Sequence, residues 1–327
     1  MDGRIPPPVP TAVSREVAAM LRIIGRGAAG SRGLEPDQAR WLMQRLLRRE
    51  LADVQLGAVL LSLRMKGETA AELLGFVQAV EETLPRLRVN RPVVVTASVN
   101  GARRLPNQVP LLAMLLRRRG IATLVIGQEQ RDARLHTAAL WTALHLPRAQ
   151  GLGDAEALLQ AGEAVYLDLR RLGPELADLT DLREVLGVRN VAHTLVKLLA
   201  PIAGPSLLLS GHTHGEYGPL MRDVLAARRC TALVLRGCEG EAVPHPSRAT
   251  PLLWAHPPGG LAGPAELPRI GDADEVPPQA GLDLDASCAW TLEVADGRRP
   301  APAALDRFVD VVRDAMQTID GRARTSR

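Results

Sequence analysis

The sequence predicts an α/β protein: an N-terminal helical lobe plus a larger α/β lobe with a mixed, mostly parallel sheet. Three observations lead there. Residues 13–84 read as helices throughout, and five short apolar runs after Pro92 alternate with helical segments. A second helical stretch, residues 176–202, then interrupts the alternation without a strand of its own. With 327 residues, 46% of them hydrophobic, the chain can fill two lobes that share a core.

In chain order, "MDGRIPPPVPTAVSRE" lacks an apolar centre, so residues 1–12 read as a flexible lead-in and not as a signal peptide. "VSREVAAMLRIIGRG" has apolar residues at helical spacing and stops on glycine. "EPDQARWLMQRLLRREL" opens with proline and acids and closes with arginines, matching the helix dipole. "DVQLGAVLLSLRMKG" starts at Asp53, a predicted N-cap, and "ETAAELLGFVQAVEETL" follows Gly67. "RLRVNRP" links this lobe, residues 13–90, to the first strand. The strands are expected at "VVVTA", "ATLVIG", "AVYLDL", "SLLLSG" and "TALVLRG", with helices near 108–118, 133–144, 154–160 and 218–228. Residues 176–202 are expected to rejoin the helical lobe, leaving 91–175 and 203–327 to the α/β lobe. The proline- and glycine-rich stretch 242–285 reads as loop and short strands, and "PAALDRFVDVVRDAMQTIDGR" as a closing amphipathic helix.

No run of about 18 apolar residues appears, so no membrane span is expected. Cys230, Cys238 and Cys288 are too few and too scattered for a disulfide framework or a zinc cluster, which makes a reduced cytoplasmic setting the expectation. The net charge is +4, and only Lys66 and Lys197 are lysines. Residues 101–150 hold eight arginines against Glu129 and Asp132, whereas residues 251–327 are net acidic. Positive charge therefore gathers around "VVVTASVNGARRLPNQVPLLAMLLRRRG", residues 93–120, and suits an anionic partner or a solvated arginine face. Aromatic residues make up 2% of the chain, so base stacking cannot be a main binding mode.

"EPDQARWLMQRLLRRELADVQLGAVLLSLRMKGETAAELLGFVQAV" closely resembles the helical domain of anthranilate phosphoribosyltransferase, a domain shared with pyrimidine nucleoside phosphorylases. The resemblance runs to about residue 245. It implies a helical lobe and an α/β lobe with a cleft between them. The family's "GTGGDG" phosphate loop becomes Thr96-Ala97-Ser98-Val99-Asn100-Gly101, which keeps only the last glycine. Side chains in that loop would hold a pyrophosphate off the backbone. Asn107 matches the asparagine that opens the next helix, but "KHGN" has become Val125-Ile126-Gly127-Gln128. Arg183 matches the arginine that binds the aromatic acid, and Lys197 stands where the family has proline. With "NGAR", "GVRN" and the acidic turn "CEGE", the chain resembles the nucleic-acid-binding branch of the family. That resemblance implies homodimers paired through the helical lobe and DNA or RNA bound with little sequence preference.

Several residues are open to a functional and a structural reading. Arg103 and Arg104 flank the degenerate loop, where guanidinium forks could reach a phosphate that the backbone cannot; a structural role would serve as well. Arg189, His193 and Lys197 recur every four residues and are expected on one helical face, lining a cleft with Arg183; Lys197 could equally be a packed stem with an exposed tip. Glu239 and Glu241 fall where the enzymes hold magnesium, although capping or salt bridging suits them better without the glycine loop. His212 and His214 lack a third ligand and read as loop hydrogen bonding. The expected function is sequence-independent nucleic-acid binding by a homodimer with a degenerate phosphoribosyl pyrophosphate site, needing no cofactor and using no catalytic residue. The alternative is a glycosyltransferase or phosphoribosyltransferase with an altered substrate, for which magnesium would matter. A third reading is a small-molecule sensor that keeps the cleft alone.

Overall fold

Apolar side chains at period 3.6, closed by caps, build the helical lobe of this computed structural model, which describes residues 11–27, 29–129, 132–245, 249–259, 266–270 and 283–325. Helix α1 is Ala12–Ile24, α2 Pro36–Leu47, α3 Asp53–Lys66 and α4 Ala70–Glu81. At the start of α4, Thr69 and Glu72 form a capping box. Gly75 lets α4 lie directly on α2, since a Cβ there would sit 2.2 Å from the Pro36 carbonyl oxygen. Leu42, Leu73 and Phe76 are fully buried between these helices, each contributing roughly 1.5–3 kcal/mol by leaving water.

The sheet follows the predicted runs: β1 Val93–Ser98, β2 Ala122–Gly127, β3 Ala164–Asp168, β4 Ser206–His212 and β5 Ala232–Arg236. Two more strands, β6 Thr250–Ala255 and β7 Glu266–Ile270, complete the order β3-β2-β1-β4-β5-β6-β7. The first five neighbours are parallel, and β6 and β7 add antiparallel. The central strands are apolar throughout because both faces are covered. Val93, Val95 and Ala97 face a core continuous with the helical lobe. Val94 faces the other core, with α5 Val109–Arg118, α6 Thr137–Ala143, α13 Leu284–Ala295 and α14 Ala303–Thr325. The first core is covered by α7 Leu152–Gln160 and α12 Tyr217–Ala227, together with α8 Leu169–Leu172, α9 Pro174–Asp181, α10 Arg183–Leu186 and α11 Ala192–Leu195. Helices α9 and α11 pack against α2 and α4.

Helix α13 corrects the reading of residues 284–285 as loop, and Asp283 caps it by accepting from the Asp285 and Ala286 N–H groups. Much of 242–285 (246–248, 260–265 and 271–282) lies outside the described residues, as do residues 1–10. Among the described residues no helix is long and apolar enough to cross a membrane. β1 has β2 on one side and β4 on the other, so the loops leaving β1 and β4 diverge there. Open α/β sheets place their ligand crevice at this switch point.

Candidate anion site at the switch point

The loop after β1 presents its backbone donors to a carboxylate of the same chain. The Asn100 and Gly101 N–H groups donate to Glu241 Oε1 at 2.8 and 3.0 Å. The Arg104 N–H donates to Glu239 Oε1 at 2.8 Å. Both glutamates belong to the acidic turn after β5, where Glu239 and Gly240 have φ of 55° and 83°. Gly237 permits the turn, since a Cβ on it would lie 1.6 Å from the Glu241 carbonyl oxygen. The Glu241 carboxylate thus takes up backbone donors of the kind that a glycine-rich loop offers a phosphate. Hydrogen bonds of this charge-assisted kind contribute about 1.5–3 kcal/mol each.

Cations surround this plug. Lys197 is buried, and its Nζ donates to the Gly240 carbonyl at 2.8 Å. Burial lowers its pKa to about 8, against the pull of Glu241. Arg189 is half-buried, with Nη2 at 3.4 Å from the Asn100 carbonyl. Burial, then the charges of Arg134 and Arg183, lower its pKa to about 10. Arg134 reaches the Asn100 and Gly101 carbonyls at 3.4 Å, and Arg183 pairs with Asp132 at 3.0 Å. Burial works against the charge on Asp132, but its hydrogen bond to His136 and the nearby Arg183 hold the carboxyl below its ordinary range. His193 is buried beside Arg189 and drops to about 3, so it is neutral at neutral pH.

A cavity of about 130 Å³ lies between the lobes here, lined in part by Arg64, Glu68, Asn100, Arg189, Lys197 and Tyr217. The Tyr217 hydroxyl bridges the lobes by donating to Glu68 Oε2 at 2.7 Å. A larger cavity of about 520 Å³ lies at the opposite end of the strands. Its arginines are already engaged: Arg91 with the Gly120 carbonyl, Arg119 with Asp306 and Asp310, and Arg313 with Asp310 and Asp314. The switch-point cavity is the better candidate.

Arg183, Arg189, His193 and Lys197 do gather at the switch point, but not on one helix. Arg189 precedes α11, and Lys197 lies in a 3-10 turn after it. Lys197 has no exposed tip. Arg103 and Arg104 are exposed, and among the described residues neither guanidinium forms an ion pair. Asn107 is buried and donates to the Thr137 hydroxyl at 2.8 Å and the Leu135 carbonyl at 3.2 Å. Val125 and Ile126 are core residues of β2, and Gln128 donates to the Ala177 carbonyl. Glu239 and Glu241 cap backbone, and among the described residues no group of three or more His, Cys, Asp or Glu could hold a metal. The His212 ring meets the His214 carbonyl at 2.8 Å, a loop contact. Sequence reasoning missed Arg64, Arg134, Asp132 and the Glu68–Tyr217 bridge, none of which carries a local signature.

Residues 19–83 match the helical bundle domain of the glycosyl transferase family. The uncharacterized protein YbiB of Escherichia coli is 33% identical over 290 residues, spanning 88% of this chain and 90% of YbiB. Anthranilate phosphoribosyltransferase of Idiomarina loihiensis is 26% identical, over 67% of this chain and 66% of the enzyme. Among solved structures, anthranilate phosphoribosyltransferase of Thermus thermophilus superposes with a TM-score of 0.68 at 22% identity, covering 94% of this chain and 89% of that one. The Saccharomyces cerevisiae enzyme, in complex with PRPP and Mg, gives 0.67 at 12% identity, covering 94% of this chain and 93% of that one. At such identities the likeness to solved structures is one of fold.

Proposed function

This chain belongs to the family of Escherichia coli YbiB, on an anthranilate phosphoribosyltransferase-like fold, and from that premise we propose that it binds nucleic acid without sequence preference. The observation that carries the reading is the division of labour in the loop after β1. Its backbone donors are taken by Glu239 and Glu241, while the guanidiniums of Arg103 and Arg104 stand exposed without carboxylate partners among the described residues. Such side chains meet phosphodiesters from outside and carry no base information. Few aromatics and arginines at the mouth of the cleft agree with that mode. A homodimer would double this surface. Val54, Leu61 and Met65 form one apolar stripe on α3, with Val54 and Met65 79% and 77% exposed, and suit pairing through the helical lobe.

A second reading, glycosyl or phosphoribosyl transfer to an altered substrate, draws on the named activity of the relatives and on the retained cavity. The residues fit it poorly. Core valine and isoleucine replace the lysine and histidine, and the acidic turn that would hold magnesium is spent on backbone N–H groups. Mobility shift of two unrelated DNA sequences across salt, beside pyrophosphate release from phosphoribosyl pyrophosphate, separates the two readings. The expected result is equal, salt-sensitive binding of both sequences and no pyrophosphate release. Turnover abolished by Glu241→Ala, without DNA binding, would reverse the choice.

A further inference from the structure

The loop that carries Arg103 and Arg104 is pinned at its backbone while their side chains stay exposed. Asn100 and Gly101 donate to Glu241, and Ala102 exchanges N–H···O bonds with Leu135 at 3.0 Å in both directions. Two residues on, the Arg104 N–H donates to Glu239 Oε1 at 2.8 Å. Arg104 is exposed, so water would satisfy this N–H equally well, and no buried donor explains the contact. The contact is nevertheless made from a strained position. Glu239 has φ 55° and ψ 15°, a left-handed conformation that favours glycine over a side chain of its length. Strain of this kind persists where surrounding contacts impose it, and is concentrated at binding and catalytic sites. Here the contact runs to the segment that presents the two arginines.

We propose that Glu239 is a positioning residue: it clamps the Arg104 backbone so that Arg103 and Arg104 meet phosphodiesters from an ordered loop. The proposal rests on the nucleic-acid reading of these arginines. A loop ordered in advance loses less conformational freedom when two long side chains engage a strand. The same carboxylate sets a negative charge beside the arginines, and that charge alone would oppose a polyanion. Glu239 therefore acts twice, with opposite signs.

Two substitutions separate the effects. Glu239→Gln keeps an acceptor oxygen for the Arg104 N–H and loses the charge, whereas Glu239→Ala loses both. On one duplex DNA at low salt, Glu239→Gln should bind about threefold tighter than the native chain. Glu239→Ala should bind about fivefold more weakly than Glu239→Gln. That difference should vanish when Arg103 and Arg104 are both alanine, whether binding is then residual or lost, since the Arg104 N–H remains and the side chains do not. Equal binding by Glu239→Gln and Glu239→Ala makes Glu239 a charge alone and overturns the proposal. A difference that persists without the arginines overturns it too. Hydrogen exchange reads the clamp without DNA: the Arg104 amide should exchange about tenfold faster in Glu239→Ala and keep its protection in Glu239→Gln. Unchanged exchange in Glu239→Ala removes the clamp. If the native chain binds no DNA, the nucleic-acid reading fails and the presenting role with it, while exchange at Arg104 still decides the clamp.

Discussion

The chain has two lysines, and they sit in opposite kinds of buried network. The Lys66 side chain, 8% exposed, donates to Glu72 Oε2 at 2.7 Å and to the Gly67 carbonyl at 2.6 Å. Glu72 is saturated in turn, accepting from the Leu34 and Thr69 N–H groups. That network ties α4 to the segments before it and pairs Lys66 with its counter-ion. Lys197, more deeply buried, has one carbonyl partner and shares its surroundings with the Asn100 amide and Glu241 Oε2, which have no hydrogen-bond partner among the described residues. A complete network specifies a fold. An incomplete one, beside a cavity and other cations, leaves capacity for a ligand.

The largest expected effect tests the complete network. Glu72→Gln should cost about 3–5 kcal/mol by leaving Lys66 buried without its counter-ion. Lys197→Met should change stability by about 1 kcal/mol or less, because a buried charge leaves with little pairing lost. Equal losses in urea unfolding would break the comparison. Next comes the acidic turn. Gly237→Ala puts a Cβ on the Glu241 carbonyl and should cost about 1–3 kcal/mol. Hydrogen exchange at the Asn100 and Gly101 amides should quicken more than at Leu34. Unaltered protection there would show that Glu241 does not hold the loop.

A smaller effect follows from pH. Unfolded Lys197 keeps its proton to about 10.5, and in the folded protein to about 8. Between those values the unfolded state binds more protons, so this group makes stability rise with pH; its burial penalty is fully present below the folded value. Melting temperatures of the native chain relative to Lys197→Met should therefore climb from pH 8 to 10. A flat difference would place Lys197 in a more solvated setting.

The strands β1 to β5 were legible because a strand buried on both faces needs no alternation, only a short apolar run between breakers. Helix α13 was not, since its Asp283 cap follows directly on a proline- and glycine-rich stretch that extended the loop reading. At the site, the four-residue spacing of Arg189, His193 and Lys197 suggests one helical face, but Arg189 precedes α11 and Lys197 lies in the 3-10 turn that continues it. The plug was invisible. Glu241 meets Asn100 across 141 residues of chain, and no local pattern encodes a carboxylate folding back into a phosphate loop.

The central claim is that phosphates meet this protein through guanidinium side chains outside a loop whose amides are already taken. Its most direct test is the salt dependence of duplex DNA binding by the native chain and by the double variant Arg103→Ala with Arg104→Ala. Both arginines are exposed, so the fold should be unaffected. The account predicts a negative log–log slope that shrinks by about two units for each protomer in contact, at about 0.9 per lost phosphate, with the same loss for unrelated sequences. An unchanged slope and affinity, or no DNA binding by the native chain even at low salt, would contradict it.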